Sequence, residues 1–445
     1  METTKKLAEF ASSTRFDDLP EEVINEAKLC FFDWLGVALA GTNEPDVNIL
    51  FDIIKLIGGK EQATILGKNI KTSILNATLI NGMSSHVFDF DDTSVEFLGH
   101  ASVTLFPCLL ALSEWMEKSG KELLTAYIIG FEIGCRVAMG TLGSHALTGW
   151  HATSTIGHFS STAGAAKLLG LDAEQLIYAF GIAGTQAAGL KAVFGTSCKP
   201  FHPGKAGFNG LLSALLAQKG FTSVENILEG EKCFWDVYST NWNPKRALKD
   251  LGKKWHILKN KYKFHASCYY THAPIETIIA IKENVKILDI NKIDKIEIVI
   301  SPVSLENASI MNPSTGLEGK FSIPYVIANA ILRNDTGIKA FTNEKVNEAE
   351  IIELIDKIKI ITDTKLAPFK ARATVYIGKE EYKEEVNLFN QVLDNIKKKQ
   401  EIHRKFSSLL SFNFKKDKIE EIIKKIERLE QENNMSNIVN LLTFS

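Results

Sequence analysis

The sequence predicts a mostly α-helical fold, with a large helical domain built from both ends of the chain and a smaller α+β domain between them. Helical periodicity runs from the N-terminus to about residue 255, strand-like alternation begins after about residue 263, and a helical pattern returns near residue 388. On these three observations we assign residues 1–262 to the first part of the helical domain, 263–387 to the α+β domain and 388–445 to the C-terminal return.

The first part opens with a helix start signal. Pro20, followed by Glu21 and Glu22, places a proline in the first turn and two acids at the positive end of the helix dipole. Apolar residues then recur at helical spacing as far as Trp34. The same reasoning, with glycine stop signals after three of the segments, predicts further helices over residues 102–118, 154–169, 172–187 and 207–219.

The α+β domain is predicted from a change of period. Ile296, Ile298 and Ile300 alternate with Glu297 and Val299, which indicates a strand. Further strands are predicted over 357–362, 372–377 and 382–386, the last two joined by a turn at Gly378, with helices over 323–332 and 343–355. The C-terminal return carries an apolar helical stripe formed by Ile419, Ile422, Ile423, Ile426 and Leu429.

Composition excludes several classes of protein. The 445 residues carry 51 Lys and Arg against 53 Asp and Glu, so the basic excess typical of nucleic-acid binding is missing. The best apolar stretches are only about a dozen residues long, whereas a membrane span needs roughly 20. The charged first ten residues do not resemble a signal peptide. Six scattered cysteines predict reduced thiols in a cytoplasmic protein without a zinc or iron–sulfur framework.

The densest polar segment runs from His86 to Thr93 and continues to His100. It holds three carboxylates in four positions, Asp89, Asp91 and Asp92. These aspartates could simply cap a helix, but His100 stands directly before an apolar run that predicts a helix. Exposed N–H groups at such a helix start disfavour an imidazolium ion and favour a neutral ring that can accept a proton, and they attract a substrate carboxylate.

Two further segments qualify as candidate sites. His151, after Gly149 and Trp150, again leads into a small-residue helix, so that His100 and His151 could form an acid/base pair rather than two structural histidines. Lys199 begins a segment rich in proline and glycine that we interpret as a rigid loop before a helix. It is either a surface loop or a point contact for a substrate carboxylate.

Taken together, these motifs resemble the MmgE/PrpD family. The resemblance rests on His86-x-x-Asp89-x-Asp91-Asp92-Thr93, His100-x-Ser102, Gly149-Trp150-His151-x-Thr153, Gly181 to Gln186 and Lys199-Pro-Phe-His202-x-Gly204-Lys-Ala206. It covers essentially the whole chain. It implies a large all-helical domain, a smaller α+β lid domain, homodimers and a site in the cleft between the domains, in a family that includes 2-methylcitrate dehydratase, cis-aconitate decarboxylase and iminodisuccinate epimerase.

The resemblance also implies which residues form the site. Catalytic roles fall to His100, His151 and Asp89, where Asp89 orients or tunes one imidazole. Substrate contacts fall to Thr93, Lys199, Lys263, Cys268 and Tyr325. This chain departs from the family pattern at two positions: Ala101 follows the motif histidine in place of the usual proline, and Cys268 stands where the decarboxylase carries a histidine.

These expectations lead to a lyase that acts on a small di- or tricarboxylate by histidine acid/base catalysis without a metal or other cofactor. The cysteine at position 268 favours elimination of water over decarboxylation. An epimerase of an iminodisuccinate-like dicarboxylate is the alternative with the same site. A remote alternative interprets Asp91-Asp92 with Glu96 as the magnesium motif of a terpenoid synthase, although the sequence shows no second motif of that class.

Overall fold

The computed structural model describes residues 2–285, 292–333, 335–388 and 394–443. Its α-helices are Thr3–Ser13 (α1), Glu21–Gly41 (α2), Pro45–Ile57 (α3), Ile74–His86 (α4), Ser102–Trp115 (α5), Gly120–Gly140 (α6), Ser144–Leu147 (α7), Ala152–Leu169 (α8), Ala173–Gly184 (α9), Cys198–Gln218 (α10), Phe234–Tyr238 (α11), Pro244–Leu248 (α12), His272–Asn284 (α13), Pro302–Asn307 (α14), Gly316–Gly319 (α15), Ile323–Leu332 (α16), Asn343–Val346 (α17), Ala349–Asp356 (α18), Asn395–Leu410 (α19), Lys416–Glu427 (α20) and Ser436–Leu441 (α21). The strands are Ala63–Ile65 (β1), Ile70–Thr72 (β2), Lys295–Ile300 (β3), Ile358–Thr362 (β4), Lys370–Ile377 (β5) and Glu380–Asn387 (β6). Short 3₁₀ turns span Phe16–Asp18, Lys191–Val193, His256–Lys259, Tyr269–Thr271, Ile338–Ala340 and Leu429–Gln431.

The large helical domain is built around α8, which packs against α5, α6, α9 and α10. Its core joins residues from α1 to the segment before α13 with residues of the C-terminal helices in one apolar cluster. Helix α19 lies along α2, and the stripe residues Ile422 and Ile426 of α20 are buried in this same core. The chain therefore returns to the helical domain, and the predicted fold class is confirmed.

Helix α6 is the one helix of the described chain whose length and apolar composition would let it cross a membrane. It begins with a capping box, in which Ser119 and Glu122 each satisfy the other's backbone N–H group. Its side chains are almost all buried against neighbouring helices, as expected for a core helix of a large helical domain.

The α+β domain is a four-stranded sheet with the order β4-β3-β5-β6. Strand β3 pairs in parallel with β4, Ile296 opposite Ile358, and antiparallel with β5. The alternating isoleucines of β3 point to one face, where they are buried with Ala373 and Val375 of β5. Helix α13 covers β5 and β6 and packs on α16. The strands and the hairpin predicted from the two-residue alternation are therefore present.

Three local predictions are wrong. The helical domain is not all-helical, because β1 and β2 form a two-stranded antiparallel hairpin whose three-residue strands are too short to show a sequence period. The single helix expected over 343–355 is two helices, α17 and α18. The segment from Cys198 to Lys205, expected as a loop, forms the first part of α10.

Candidate active site

The centre of the candidate site is the segment that follows α4. Helix α4 ends at His86, and Asp89 then adopts a left-handed backbone conformation with φ of +50°. Asparagine and aspartate tolerate this region better than other non-glycine residues. Three buried ammonium groups donate to the three successive carbonyls of this turn: Lys320 to Phe88 (2.7 Å), Lys263 to Asp89 (2.7 Å) and Lys405 to Phe90.

These three lysines come from different parts of the chain. Lys263 and Lys320 belong to the region of the α+β domain, whereas Lys405 lies on α19 of the C-terminal return. Lys405 also donates to the buried carboxylate of Asp33 on α2, at 2.7 Å. The turn at Asp89 is therefore held by side chains of the α+β domain and of the C-terminal return.

Asp89 neutralises two of the cations. Its Oδ1 atom lies 2.6 Å from Lys263 Nζ and 3.0 Å from Lys199 Nζ. Burial alone would raise the pKa of this carboxyl, but the ammonium groups of Lys199 and Lys263 reverse that effect and hold it well below its usual range. Its other oxygen, Oδ2, is buried and has no hydrogen-bond partner among the described residues.

Asp91 orients two imidazoles. Its Oδ1 atom lies 2.8 Å from Nδ1 of His86, and its Oδ2 atom lies 3.0 Å from Nδ1 of His100. Nδ1 of His100 also lies 2.7 Å from the carbonyl oxygen of Asp92. Because both neighbours of this nitrogen are acceptors, Nδ1 carries the hydrogen and Nε2 of a neutral His100 carries a lone pair. Asp91 thus lies beside Nδ1 of both rings, while Asp89 Oδ1 lies 3.9 Å from Nε2 of His100.

His86 lies between the two histidines predicted from the sequence. Its ring centroid is 4.8 Å from that of His100 and 6.3 Å from that of His151. With Nδ1–H directed at Asp91, its Nε2 accepts from Lys199 Nζ at 3.0 Å. Burial, only partly offset by Asp91, lowers the pKa of His86 to about 4, so the ring is neutral near pH 7.

His151 is the N-cap residue of α8, whereas His100 lies two residues before α5 begins. The pKa of His151 lies well below its usual value, and the cause is burial, followed by the charge of Lys199 and the neighbouring imidazole of His202. Burial and a nearby cation, rather than a helix terminus alone, therefore favour the neutral form of this ring. Its Nδ1 lies 2.9 Å from Nδ1 of His202.

Lys199 reaches this cluster because α10 begins earlier than its prolines suggest. Pro200 occupies the first turn, where no intrahelical N–H bond is needed. Gly204 of α10 crosses Gly82 of α4 so closely that a Cβ atom on Gly204 would lie 2.2 Å from the carbonyl oxygen of Leu79. This close crossing brings the end of α4 and the start of α10 together, and with them His86 and Lys199.

The remaining predicted site residues, Thr93, Cys268 and Tyr325, do not all lie at the cluster. Thr93 is partly buried and its hydroxyl donates to the carbonyl of Gly99 at 3.3 Å. Cys268 is buried, and burial followed by the charge of Asp89 raises the pKa of its thiol. Tyr325 is not brought to the cluster. Its hydroxyl donates to the carbonyl of Ala340, and its ring packs on Phe341 inside the α+β domain.

Residues that the sequence reasoning did not select complete the site. His86 and Asp91 stood in the quoted polar segment, where the five-residue spacing gave no sign that they would pair. Lys320, next to Phe321, lines a small cavity together with His86, Asp89 and Lys199. Burial lowers the pKa of Lys320 to about 7, despite the opposing attraction of Asp89. No sequence signal marks a lysine that will be buried beside two others.

His86, Asp89, Asp91 and His100 offer donor atoms that all lie within 4.8 Å of one another, a spacing that could hold a metal ion. The donors are, however, already engaged by cations and N–H groups: Asp89 by Lys199 and Lys263, and Asp91 by the two imidazoles. A divalent ion here would face two ammonium groups at close range. The donor set therefore fits a proton-transfer cluster better than a metal centre.

The carboxylates of the terpenoid-synthase alternative do not converge on a common space. Asp92 accepts from Ser102 and Asn260, each at 2.6 Å. Glu96 pairs with Lys259 at 2.5 Å near the surface, and Asp91 faces the imidazoles. A magnesium motif needs carboxylates that point together into an open cavity, so we set that alternative aside.

The chain matches two domain families along most of its length: the MmgE/PrpD N-terminal domain over residues 5–247 and the MmgE/PrpD C-terminal domain over residues 265–431. Among similar proteins are a cis-aconitate decarboxylase of Aspergillus terreus (25% identical over 378 residues, covering 80% of this chain and 77% of the relative) and one of Homo sapiens (26% over 372 residues, 80% and 76%). A cis-aconitate decarboxylase-like protein of Aspergillus oryzae is 25% identical over 467 residues, covering 99% of this chain and 97% of the relative.

Proposed function

This chain belongs to the MmgE/PrpD family, whose relatives here indicate a lyase, and on that premise we propose a hydro-lyase that eliminates water from a small hydroxylated di- or tricarboxylate. We choose water elimination because the Oδ2 atom of Asp89 is buried and lacks a hydrogen-bond donor among the described residues. A buried acceptor without a donor is unfavourable. The hydroxyl of a citrate-like substrate supplies that donor, whereas the carboxylates of an unsaturated acid supply only acceptors.

We propose that the buried lysines bind the carboxylates of the substrate. Lys199 and Lys320 line the same small cavity beside Asp89, and Lys263 lies 2.6 Å from Oδ1 of that carboxylate. Ammonium groups in a buried site hold substrate carboxylates and stabilise the charge that develops when a neighbouring C–H bond is broken. We assign Lys199 and Lys263 to these contacts and retain Thr93 and Cys268 as neighbours of the bound acid.

The hydrogen-bond pattern supports the proposal that His100 is the base. His100 accepts the proton from the carbon next to a carboxylate at its lone-pair nitrogen, Nε2, and the resulting imidazolium is stabilised by Asp91 and by the carbonyl of Asp92. The C–O bond then breaks, and the leaving hydroxide takes a proton from Nε2 of His151 to depart as water. One proton moves from carbon to His100, one from His151 to oxygen, and a C=C bond remains.

Decarboxylation of cis-aconitate is a second candidate, favoured by the names of the relatives. The thiol of Cys268 argues against decarboxylation, because it stands where the family resemblance places a histidine in the decarboxylase. His272, four residues on, does not replace the missing imidazole, since its Nε2 donates to the carbonyl of Ser267 at 3.3 Å and its ring packs on His265 and Tyr269. We further propose, as the family resemblance implies, a cytoplasmic homodimer that needs no cofactor.

Proton NMR in deuterated water tests the proposal. The full-length protein is incubated with citrate, isocitrate, 2-methylcitrate, cis-aconitate and substituted succinates, with His100→Ala as the matched inactive control. A hydro-lyase gives new alkene signals from a hydroxy acid. Release of CO₂ from cis-aconitate alone would replace the proposal with the second candidate. Exchange with inversion, without an alkene, would indicate an epimerase. Loss of activity with a chelator would contradict metal independence.

A further inference from the structure

His151 and His202 share one hydrogen bond through equivalent nitrogens. The Nδ1 atoms of the two rings are 2.9 Å apart. Two nitrogens can bond at this distance only when one carries a hydrogen and the other a lone pair. Two neutral arrangements are therefore possible: His151 donates through Nδ1 and has a free lone pair on Nε2, or His202 donates and His151 carries its hydrogen on Nε2.

The two rings of this pair have different surroundings. His151 is only 5% exposed and neighbours His86, Phe194 and Lys199, whereas His202 is partly exposed on the first half of α10. Among the described residues, neither Nε2 atom has a hydrogen-bond partner. The pair thus joins a buried ring beside the cluster to a partly exposed ring through a single short bond.

We infer that His202 and His151 form a two-imidazole proton relay between the active site and solvent, an inference that rests on the proposed role of His151 as a proton donor. When His151 gives its Nε2 proton to the leaving hydroxide, the Nδ1 proton of His202 moves to Nδ1 of His151. His202 takes a proton at its own Nε2 from a solvent water, which leaves a hydroxide ion in solvent. In the reverse sequence the proton that His100 took from carbon returns to Nε2 of His151, the Nδ1 proton passes back to His202, and the Nε2 proton of His202 neutralises that hydroxide, which resets the pair. Each ring gains one proton and loses one, so both remain neutral.

The relay explains how His151 can donate a proton although the surrounding charges disfavour its imidazolium form. The groups that face His151 are Lys199, His202, His86 and His100, and the ammonium of Lys199 is the full positive charge among them. Burial and this charge together disfavour an imidazolium at His151, and burial and Lys199 lower the pKa of His202 to about 4. A ring that cannot hold a second proton can still donate one if a partner replaces it at the same time.

Two variants separate a relay from mere positioning. His202→Asn keeps a side chain that can donate to or accept from Nδ1 of His151, but it cannot receive a proton at one atom while releasing one from another. His202→Ala leaves a space that imidazole from the buffer can fill. We expect kcat to fall about 10-fold or more in both with little change in KM, and imidazole to raise kcat of His202→Ala but not of the wild type.

His403→Asn, on α19, is the matched control, and melting temperatures verify that each variant folds. Wild-type kcat in His202→Asn would overturn the relay. A second measurement does not depend on the reaction: ¹⁵N NMR of histidine-labelled full-length protein should show a proton shared by two Nδ1 atoms, and this signal should be lost in His202→Ala. If no acid is turned over but the shared proton is seen, the proposed function fails while the hydrogen-bonded pair stands; absence of the shared proton overturns the relay.

Discussion

Lys263 holds Asp89 twice, because its ammonium donates to the carboxylate at 2.6 Å and to the backbone carbonyl of the same residue at 2.7 Å. The two residues are 174 positions apart in the chain. This contact ties the boundary of the α+β domain to a turn of the helical domain. The attraction between Lys263 and Asp89 also shifts the pKa of both groups. Burial would lower the pKa of Lys263, but Asp89 and Asp91 raise it instead.

Replacing Asp89 by Asn tests the charge of this turn. Asparagine accepts the left-handed backbone of position 89, so the turn should persist, but Lys199 and Lys263 would lose their counter-charge in a buried site. We expect kcat to fall by about 10² or more, measured by steady-state kinetics. Asp236→Asn, at an exposed position of α11, is the control. Unchanged kcat in Asp89→Asn would show that the charge of Asp89 is not needed.

The acid and base roles are tested by His100→Ala and His151→Ala. Each variant removes one proton-transfer group and should lower kcat by about 10² or more. His145→Ala removes a buried histidine that bonds Tyr238 and Thr155 outside the cluster, and it should affect melting temperature more than kcat. Near-wild-type turnover in both site variants would reject the assignment.

Lys199→Met tests carboxylate binding. Methionine keeps much of the length and removes the ammonium that lies 3.0 Å from both Asp89 Oδ1 and His86 Nε2. We expect a KM for the acid that rises about 10-fold or more, with a partial recovery in Lys199→Arg. Lys205→Met, further along α10 and partly exposed, should bind normally. Equal effects of both methionine variants would contradict a specific contact.

Gly204→Ala tests the helix crossing that positions Lys199. A Cβ atom at 204 would lie 2.2 Å from the backbone oxygen of Leu79, which cannot move without displacing α4. Overpacking of this kind should reduce the free energy of unfolding by about 1–3 kcal/mol, measured by denaturant titration. Gly337→Ala meets only the end of the Asp335 side chain at 3.0 Å and should be nearly neutral. Comparable losses in the two variants would argue against a special crossing.

The pH dependence of stability should change in Asp92→Asn. Burial, reinforced by Asp33, raises the pKa of Asp92 to about 7. The folded state then binds a proton that the unfolded state releases above about pH 4, so this group lowers stability as pH rises from about 4 to 7. We expect the melting temperature of Asp92→Asn, relative to wild type, to be higher at pH 8 than at pH 5. The same relative value at both pH values would contradict an ionisable Asp92.

The sequence was sufficient for those features that depend on local periodicity and on short motifs. Alternating isoleucines defined β3, the turn at Gly378 defined the β5–β6 hairpin, and the apolar stripe of α20 indicated the return to the helical domain. The motif segments also selected Asp89, His100, His151 and Lys199 as candidates, and the structure brings these side chains close to one another.

Only the tertiary structure determined which contacts these groups make. It places the carboxylate of Asp91 beside Nδ1 of His86 and of His100, and it places Tyr325 inside the α+β domain. It also makes the segment at Lys199 helical and pairs His151 with His202. Each of these outcomes depends on contacts between residues far apart in the chain. Periodicity shows which face of an element is apolar. Hydrogen bonds and buried charges depend instead on which residues of other elements come into contact, and these contacts form only when the helices pack together.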